Sequence, residues 1–327
     1  MKKIQSRHGL STLVTHTGEG DNPLHSHITP IFQTSTFSFP DVAAGAGAFK
    51  GTEDGYIYTR LRHPNLDQLA LKIAALEGLD LIRKDPDRDP EDMVRGLIFS
   101  SGMSAITSAI LARAKSGDTI IAQQALYGAT YVFLQDIAPR YGIKTVFLKD
   151  ASVQNWKDAF KAHPGAVIAY AESPANPTMA LTDLRAVAEI AHDKGAWLMV
   201  DNTFASPYCQ RPLTLGADVV IHSTTKYLCG HGLIVGGAVV SRHVGYIKTE
   251  LNAILKNLGG NASPFDAWLP ASVLRPLSCA CSAIAPTPCR WRASSKRTPP
   301  WSASSTPGWK ATPITSWQSA KCTISAA

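Results

Sequence analysis

Apolar and polar positions alternate in blocks through the middle of the chain. Short apolar runs, which read TIIA, TVFL, AVIAYAES, WLMVDN and DVVIHS, are separated by segments such as residues 184–194, whose apolar residues recur at helical spacing. Apolar runs of roughly four to eight residues are typical of buried strands, and strands that alternate with helices form mostly parallel sheets covered on both faces. The pattern therefore predicts an α/β fold.

The residues before this region predict further features. Residues 66–79 have the spacing of a helix, and the charged, Pro-containing segment 84–95 is typical of a solvated loop. Residues 97–111 predict a strand, a Ser-Gly turn and a helix whose free N–H groups form an anion site. Residues 1–60 show little periodicity, so we expect an extended arm there rather than a core element.

Reactive side chains follow the predicted strands at the edge where parallel sheets place active groups. Glu172 ends one strand, Asp201 ends the next and Ser223 ends a third. The stretch STTKYLCGHG then contains Thr225 and Lys226. We expect burial to lower the pKa of a lysine that follows a buried strand, which makes the neutral amine available for Schiff-base chemistry. The hydroxyls of Ser223 and Thr225 are suited to holding phosphate oxygens.

Simpler interpretations of these residues stay open at this level. Lys226 could be an ordinary surface lysine at the end of a strand, and Asp201 could cap the turn DNTFASP that it begins. A carboxylate at the end of a buried strand nevertheless needs a charged or multiply hydrogen-bonded partner. A protonated pyridine nitrogen would supply such a partner.

The net charge of +7 over 327 residues is concentrated near the C-terminus. Six basic residues and no acidic ones follow residue 277, and the remaining chain has 26 basic against 25 acidic residues, so we expect no nucleic-acid partner. No apolar run reaches membrane-spanning length and no apolar signal region is present, so we expect a cytoplasmic protein without a membrane partner. His25, His27 and the six cysteines show no metal-ligand spacing, and no metal is expected.

Several segments, in order, resemble one enzyme family. They read ITPIFQTSTF, YIYTRLRHPNLDQL, SSGM, LYGAT, ESPANP, VDNT, STTK and NLGGNASPFDAWLPASVLR. Between residues 9 and 275 the chain resembles the Cys/Met-metabolism (trans-sulfuration) family of pyridoxal-phosphate enzymes. That family includes cystathionine γ-synthases, cystathionine γ-lyases, methionine γ-lyases and O-acylhomoserine sulfhydrylases. The resemblance implies a fold type I α/β enzyme with pyridoxal 5'-phosphate (PLP) as cofactor, assembled as a homodimer or homotetramer with shared sites.

The resemblance also implies roles for individual residues. Lys226 would be the Schiff-base lysine, Asp201 the partner of the cofactor's pyridinium nitrogen, and Tyr127 a stacking residue that assists proton transfer at the leaving group. The other residues implied to bind the cofactor are Tyr58, Arg60, Ser101, Gly102, Met103, Asn176, Ser223 and Thr225. Tyr58 and Arg60 would reach the cofactor phosphate of a neighbouring subunit.

The chemistry implied is γ-elimination or γ-replacement on a sulfur-containing or homoserine-derived amino acid, as in cystathionine γ-synthases and lyases. An O-acylhomoserine sulfhydrylase or a methionine γ-lyase is the alternative. Ala129 weakens the methionine γ-lyase alternative, because those enzymes often have cysteine two residues after the tyrosine that matches Tyr127.

The resemblance stops at residue 276. Residues 276–327 contain no Asp, Glu, Val, Phe or Tyr but hold four of the seven tryptophans. A shifted reading frame explains this composition, because the codons of residues 309–319, read one base earlier, permit the family-like text LESHPHHELAK. We expect this segment to be disordered and to leave uncovered the apolar face of a helix near residues 265–274.

The expected organisation has four parts. Residues 1–60 form an arm that contributes to a neighbouring subunit's site, residues 61–255 the PLP-binding large domain, residues 256–275 the start of a C-terminal domain, and residues 276–327 the frameshifted tail. The family's arginine for the substrate carboxylate lies in the C-terminal part, where nothing after residue 276 replaces it. A chain that binds the cofactor without turnover is therefore a rival hypothesis.

Overall fold

The computed structural model describes residues 5, 7–19, 22 and 25–284. Seven strands lie within them, namely Arg95–Phe99 (β1), Thr119–Gln123 (β2), Lys144–Leu148 (β3), Ala166–Glu172 (β4), Trp197–Asp201 (β5), Val219–Ser223 (β6) and Gly237–Ser241 (β7). They form one sheet in the order β1-β7-β6-β5-β4-β2-β3. β7 pairs antiparallel with both of its neighbours, and the other pairs are parallel. The predicted mostly parallel sheet is confirmed.

Helices precede, separate and follow the strands. In chain order they are Leu10–His16 (α1), Val42–Lys50 (α2), Pro64–Glu77 (α3), Leu79–Lys84 (α4), Pro90–Met93 (α5), Gly102–Arg113 (α6), Gly128–Val132 (α7), Val153–Ala162 (α8), Leu184–His192 (α9), Ser206–Cys209 (α10), Val244–Tyr246 (α11), Asn252–Leu258 (α12), Pro264–Val273 (α13) and Leu277–Ile284 (α14). α7 continues as a π-helix (Phe133–Ile137) and a 3-10 helix (Ala138–Tyr141). A second π-helix (Ile247–Leu251) joins α11 to α12, and Pro212–Leu215 is a 3-10 turn.

Side-chain caps explain where three of the longer helices begin. His63, Ser152 and Ser263 each accept a hydrogen bond from the backbone N–H three residues later, at the starts of α3, α8 and α13. Pro64 and Pro264 occupy the first turn, where a backbone N–H has no intrahelical acceptor and its loss costs nothing. These boundaries are therefore encoded locally.

Two hydrophobic clusters cover the two faces of the sheet. One includes Ile73 of α3 and Trp156 of α8, and the other includes Ile106 of α6. Successive strand residues point to opposite faces, so neighbouring strand residues enter different clusters, as Val200 and Met199 of β5 do. Asp201 lies two residues after Met199 and therefore points to the same face of the sheet, where it lines the cavity described below.

The expectation that residues 1–60 hold no core element is wrong. α1 buries Leu13 and Val14 in the same cluster as α3. Its seven residues are too few for a helical period to stand out in the sequence. The segment predicted as a solvated loop, residues 84–95, also contains the short helix α5, although α5 buries no residue.

The expectations for the region after residue 264 also need correction. Ala267 and Ala271 of α13 are buried in the cluster that includes α3, so most of the apolar face of this helix is covered, although Phe265 is 47% exposed. α14 follows at once, and its Leu277 and Cys281 are buried in the same cluster. The tail therefore begins with a packed helix, while the predicted disorder of residues 285–327 lies outside the described residues. The domain boundaries at residues 60 and 255 stay predictions.

No helix in the described part of the chain is long and apolar enough to cross a membrane. The same residues contain no group of three or more His, Cys, Asp or Glu that could hold a metal ion.

Candidate active site

A cavity of about 270 Å³ opens at the carboxyl ends of β4, β5 and β6. It is lined by ten of the residues singled out in the sequence, namely Ser101, Gly102, Met103, Tyr127, Glu172, Asn176, Asp201, Ser223, Thr225 and Lys226. The sheet topology explains the convergence, because parallel neighbours end at one edge and α6 begins at that edge after β1.

Lys226 reaches the cavity from a hydrogen-bonded turn after β6. Within this turn the Cys229 N–H donates to the Thr224 carbonyl at 2.9 Å, and the Gly230 N–H donates to the Lys226 carbonyl at 2.7 Å. Lys226 is exposed, so the expectation of a partly desolvated amine is wrong for this chain. The buried strand ends at Ser223, and the lysine lies in the solvent-facing turn beyond it.

The start of α6 packs closely against the end of β6 and the start of β7. A Cβ on Gly102 would lie 2.8 Å from the Cβ of Ser223, and a Cβ on Gly237 would lie 2.2 Å from the carbonyl oxygen of Ser101. Glycine is therefore required at both positions. The Ser101 hydroxyl caps α6 by accepting from the Ser104 N–H at 3.0 Å.

The first turn of α6 forms an anion site beside Ser223 and Thr225. The N–H groups of Gly102 and Met103 have no intrahelical acceptor, and the positive end of the helix dipole lies there. The Thr225 hydroxyl accepts from the Gly236 N–H at 3.0 Å, which fixes it at the cavity wall. Backbone donors and hydroxyls thus surround one place for a phosphate.

Asp201 both caps a turn and lines the cavity. Its Oδ1 accepts from the Thr203 N–H at 3.0 Å, and the Thr203 hydroxyl in turn accepts from the Ser223 N–H at 2.8 Å. Burial raises the pKa of Asp201, while the contacts with Thr203 and the attraction of His222 oppose that rise. A cationic group in the cavity would favour the ionised form further.

Glu172 connects two loops that carry candidate residues. Its carboxylate accepts from the backbone N–H groups of Tyr127 and Asn176, each at 2.7 Å. Burial, and then repulsion by Asp201, raise the pKa of Glu172 to about 7. Glu172 therefore sets the positions of Tyr127 and Asn176 on the two sides of the cavity.

Four lining residues were not singled out in the sequence, namely Ile106, Thr203, Phe204 and Val235. Glu172 was expected at this edge because it ends an apolar strand, but its contacts with two separate loops were not expected. Thr203 follows Asp201 by two residues, a spacing typical of a turn contact. Nothing in the sequence indicates Phe204.

Tyr58 and Arg60 do not line this cavity. The Arg60 guanidinium lies over the Tyr58 ring, 5.4 Å from its centroid, and donates to the carbonyl of Lys256. Their predicted place in a neighbouring subunit's site is not tested by one chain and stays a prediction.

A family model described as Cys/Met metabolism PLP-dependent enzyme matches residues 11–283. The chain belongs to this family. It is 43% identical over 270 residues to an L-methionine gamma-lyase of Porphyromonas gingivalis, covering 82% of this chain and 63% of that protein. It is 37% identical over 261 residues to a cystathionine gamma-lyase of Bacillus subtilis, covering 79% of this chain and 62% of that protein.

A solved structure of a family relative agrees with the fold. Cystathionine gamma synthase from Xanthomonas oryzae pv. oryzae matches with a TM-score of 0.73 at 33% identity, covering 83% of this chain and 64% of that chain. The present chain thus spans less than two thirds of the length of these relatives. Membership of the family and the fold type I architecture predicted from the sequence are confirmed.

The cavity residues fit the family's cofactor. PLP has a phosphate, an aldehyde and a ring nitrogen, and the cavity offers an anion site at the start of α6, the amine of Lys226 and the carboxylate of Asp201. Burial disfavours the charge of Asp201, and a protonated ring nitrogen is a partner that would compensate for it. The side-chain amide of Asn176 is available at the wall for a ring oxygen.

Proposed function

We propose that this protein catalyses PLP-dependent γ-elimination or γ-replacement on sulfur-containing or homoserine-derived amino acids, in the manner of cystathionine γ-synthases and lyases. The observation that supports this most is the meeting of an amine, a buried carboxylate and an anion site in one cavity, at Lys226, Asp201 and the start of α6. Membership of a PLP-dependent family supports the same cofactor.

The bound cofactor would supply an electron sink for negative charge that develops at the substrate's α-carbon. Lys226 would hold the cofactor through its amine and would move the proton at the substrate's α-carbon. Asp201 would keep the ring nitrogen protonated. Tyr127, which is 45% exposed at the cavity wall, moves a proton at the leaving sulfur or oxygen. Glu172 keeps Tyr127 and Asn176 in place through their backbone N–H groups.

Product analysis tests this proposal. The PLP-loaded chain is incubated separately with L-methionine, with L-cystathionine, and with an O-acylhomoserine plus cysteine. γ-Elimination consumes one water and releases ammonia and 2-oxobutanoate, together with methanethiol from methionine or cysteine from cystathionine. γ-Replacement by cysteine instead releases the acyl acid without ammonia. Either product set, absent from the Lys226→Ala variant, supports the proposal. If the chain binds the cofactor but releases neither product set from any of the substrates, the proposal is contradicted.

A further incubation of the O-acylhomoserine with sulfide, compared with the incubations above, separates the alternatives within the family. An O-acylhomoserine sulfhydrylase would use sulfide rather than cysteine as the attacking group, and a methionine γ-lyase would release methanethiol. The identity of 43% to an L-methionine gamma-lyase supports the latter. Ala129 of α7, two residues after Tyr127, argues against a methionine γ-lyase, because those enzymes often have cysteine at this position.

We also propose that the protein is a cytoplasmic homodimer or homotetramer acting on a small amino acid, without nucleic-acid or membrane partners. Tyr58 and Arg60 lie outside the chain's own cavity, which supports their use by a neighbour. Val42 and Phe49 of α2 are 90% and 70% exposed, which is typical of surface that another subunit covers. Light scattering on the purified chain measures the oligomeric state directly.

The alternative from another class is cofactor binding without turnover. The unusual composition of residues 276–327 favours it, because the family's arginine for the substrate carboxylate was expected in that region. A chain of this kind would turn yellow with PLP and release no product from any of the three substrates.

A further inference from the structure

A second cavity, of about 300 Å³, lies at the edge of the sheet opposite the candidate active site. Ser241, the last residue of β7, is the register partner of Val219, the first residue of β6, so the residues just after β7 lie beside the amino end of β6. The charged and titratable side chains that line this cavity are those of Lys84, Arg185, Glu189, His192 and Arg242. The proposed function uses none of them.

Asp218 fixes one wall of this cavity. It directly precedes β6, and its side chain is 2% exposed. Its carboxylate accepts hydrogen bonds from Nε2 of His192 at 2.8 Å and from Nη2 of Arg242 at 3.0 Å. The Leu198 N–H donates to the same carboxylate at 2.8 Å. The side chains of His192 and Arg242 are 36% and 35% exposed, so a buried carboxylate holds both in place while each keeps surface that a ligand can contact.

Lys84 and Arg185 bring further positive charge to the cavity. Both are exposed, and in the part of the chain that the structure describes neither has an acidic side chain within ion-pair distance. Asp80, one helical turn before Lys84 in α4, instead pairs with Arg211 at 2.6 Å. Glu189 is the one carboxylate among the described residues that line the cavity.

The charges around the cavity leave a positive excess. Lys84, Arg185 and Arg242 carry three fixed positive charges. Glu189 at the wall and Asp218 behind it carry two negative charges, so one positive charge is left over before any histidine is protonated. A ligand with at least one negative charge would neutralise this excess. Arginine is suited to that ligand, because its guanidinium binds a carboxylate or phosphate through two parallel N–H groups.

Much of the remaining lining is apolar. It includes the side chains of Leu81, Ala188, Leu213 and Leu215. A hydrated inorganic ion leaves such a surface in contact with water, whereas an apolar body attached to the anionic group would cover it. The volume of the cavity lies at the lower end of the range of small-molecule sites. The lining therefore suits a ligand that is anionic at one end and apolar at the other.

We propose that this cavity binds a small organic anion, in which a carboxylate or phosphate group is attached to an apolar body. Lys84, Arg185 and Arg242 attract the anionic group, and the leucine side chains contact the apolar body. β6 has five residues, so the site is roughly 16 Å from the candidate active site. The ligand therefore binds without contacting Lys226, and the inference does not rest on the proposed function.

Isothermal titration calorimetry on the full chain tests the proposal, with PLP bound so that the anion site at the start of α6 is filled. The probes are phenyl phosphate, benzoate and inorganic phosphate. At least one of the two organic anions should bind with a Kd below about 1 mM, and about tenfold more tightly than inorganic phosphate. The organic anion that binds more tightly identifies the anionic group, as phosphate or carboxylate.

Variants at exposed positions locate the bound probe. Lys84→Gln and Arg185→Gln should each raise the Kd about tenfold, because a charge-assisted hydrogen bond is lost. Glu189→Gln should lower the Kd, because it removes a carboxylate that repels the ligand. Lys161→Gln, at an exposed position of α8, is the matched control and should leave the Kd unchanged.

The same titrations can overturn the proposal. It fails if neither organic anion shows saturable binding below about 10 mM. It also fails if Lys84→Gln and Arg185→Gln both leave the Kd within about twofold of its value in the unaltered protein, because the probe then binds elsewhere. Equal affinity for inorganic phosphate would show an adventitious ion only and would contradict an organic ligand.

Discussion

Glu172 and Asp201 are register partners at the carboxyl ends of β4 and β5, and both line the same cavity. Two carboxylates so placed repel each other, and burial disfavours the charge of each. The pKa of Glu172 rises to about 7, so this residue holds a proton close to neutral pH. For Asp201, the hydrogen bonds with Thr203 and the attraction of His222 favour the ionised form. The two neighbouring carboxyl groups thus differ in the contacts that stabilise their charged forms.

We expect Glu172 to make stability depend on pH. The folded protein keeps a proton that the unfolded chain loses, because the pKa is raised from 4.5 to about 7. The free energy of unfolding should therefore fall as pH rises through this window, by at most roughly 3 kcal/mol. Glu172→Gln should remove this dependence, as measured by urea unfolding at several pH values. The exposed Glu189→Gln serves as control, and an unchanged slope in Glu172→Gln would contradict the assignment.

Lys72 should have the opposite signature at higher pH. Its Nζ donates to the carbonyls of Val14 at 2.9 Å and Ala271 at 3.2 Å, which joins α1, α3 and α13. Burial lowers the pKa of Lys72 from 10.5 to about 8. Between these pH values the unfolded chain therefore keeps a proton on Lys72 that the folded protein has lost. The free energy of unfolding should rise across that window.

Lys72→Met should abolish this rise and lower stability near neutral pH by about 2 kcal/mol, because buried carbonyls lose their donor. Denaturant unfolding measures both effects. Lys161→Met, at an exposed site in α8, is the matched control. Equal stability of the two variants at neutral pH would show that the Lys72 contacts contribute nothing net.

The strands and the helix after β1 were predictable because each rests on local signals. β2 to β6 are short apolar runs, and Ser101 precedes a helical period. The parallel order of the strands then brings Asp201 and Ser223 together at one edge. That much of the site follows from sequence alone.

The remaining features depend on contacts distant in sequence. Glu172 binds Tyr127 from 45 residues away, and Glu77 meets His222 across 145 residues. α1 gains its place in the core only by packing on α3. The exposure of Lys226 follows from the exact end of β6, which a pattern of apolar residues does not define to one residue.

Asp201→Asn should separate cofactor binding from cofactor activation. The anion site at the start of α6 is untouched, so part of the PLP affinity should remain. Exchange of the substrate's α-proton with deuterated water should fall by about 10² or more, because an amide cannot hold the ring nitrogen protonated. Proton NMR of the substrate measures exchange, with Asp183→Asn at an exposed helix cap as control. Near-normal exchange would contradict the role of Asp201.

Arg60 should act in a neighbouring subunit's site. Arg60→Ala and Lys226→Ala proteins should each be inactive alone, yet mixing them should restore about a quarter of the active sites if subunits exchange freely in a two-fold dimer. The restored activity is measured after exchange has been verified by mass spectrometry of labelled subunits. No recovery in exchanged mixtures would place Arg60 outside the shared site.

The proposed chemistry requires that Lys226 is the lysine that holds the cofactor. The PLP-loaded chain is reduced with borohydride, digested and mapped by mass spectrometry, alongside Lys226→Arg and, as control, Lys248→Arg at an exposed position. We expect the cofactor to be attached to the peptide containing Lys226 in the unaltered protein and in Lys248→Arg, and to no peptide in Lys226→Arg. Attachment to a different lysine in the unaltered protein would contradict it.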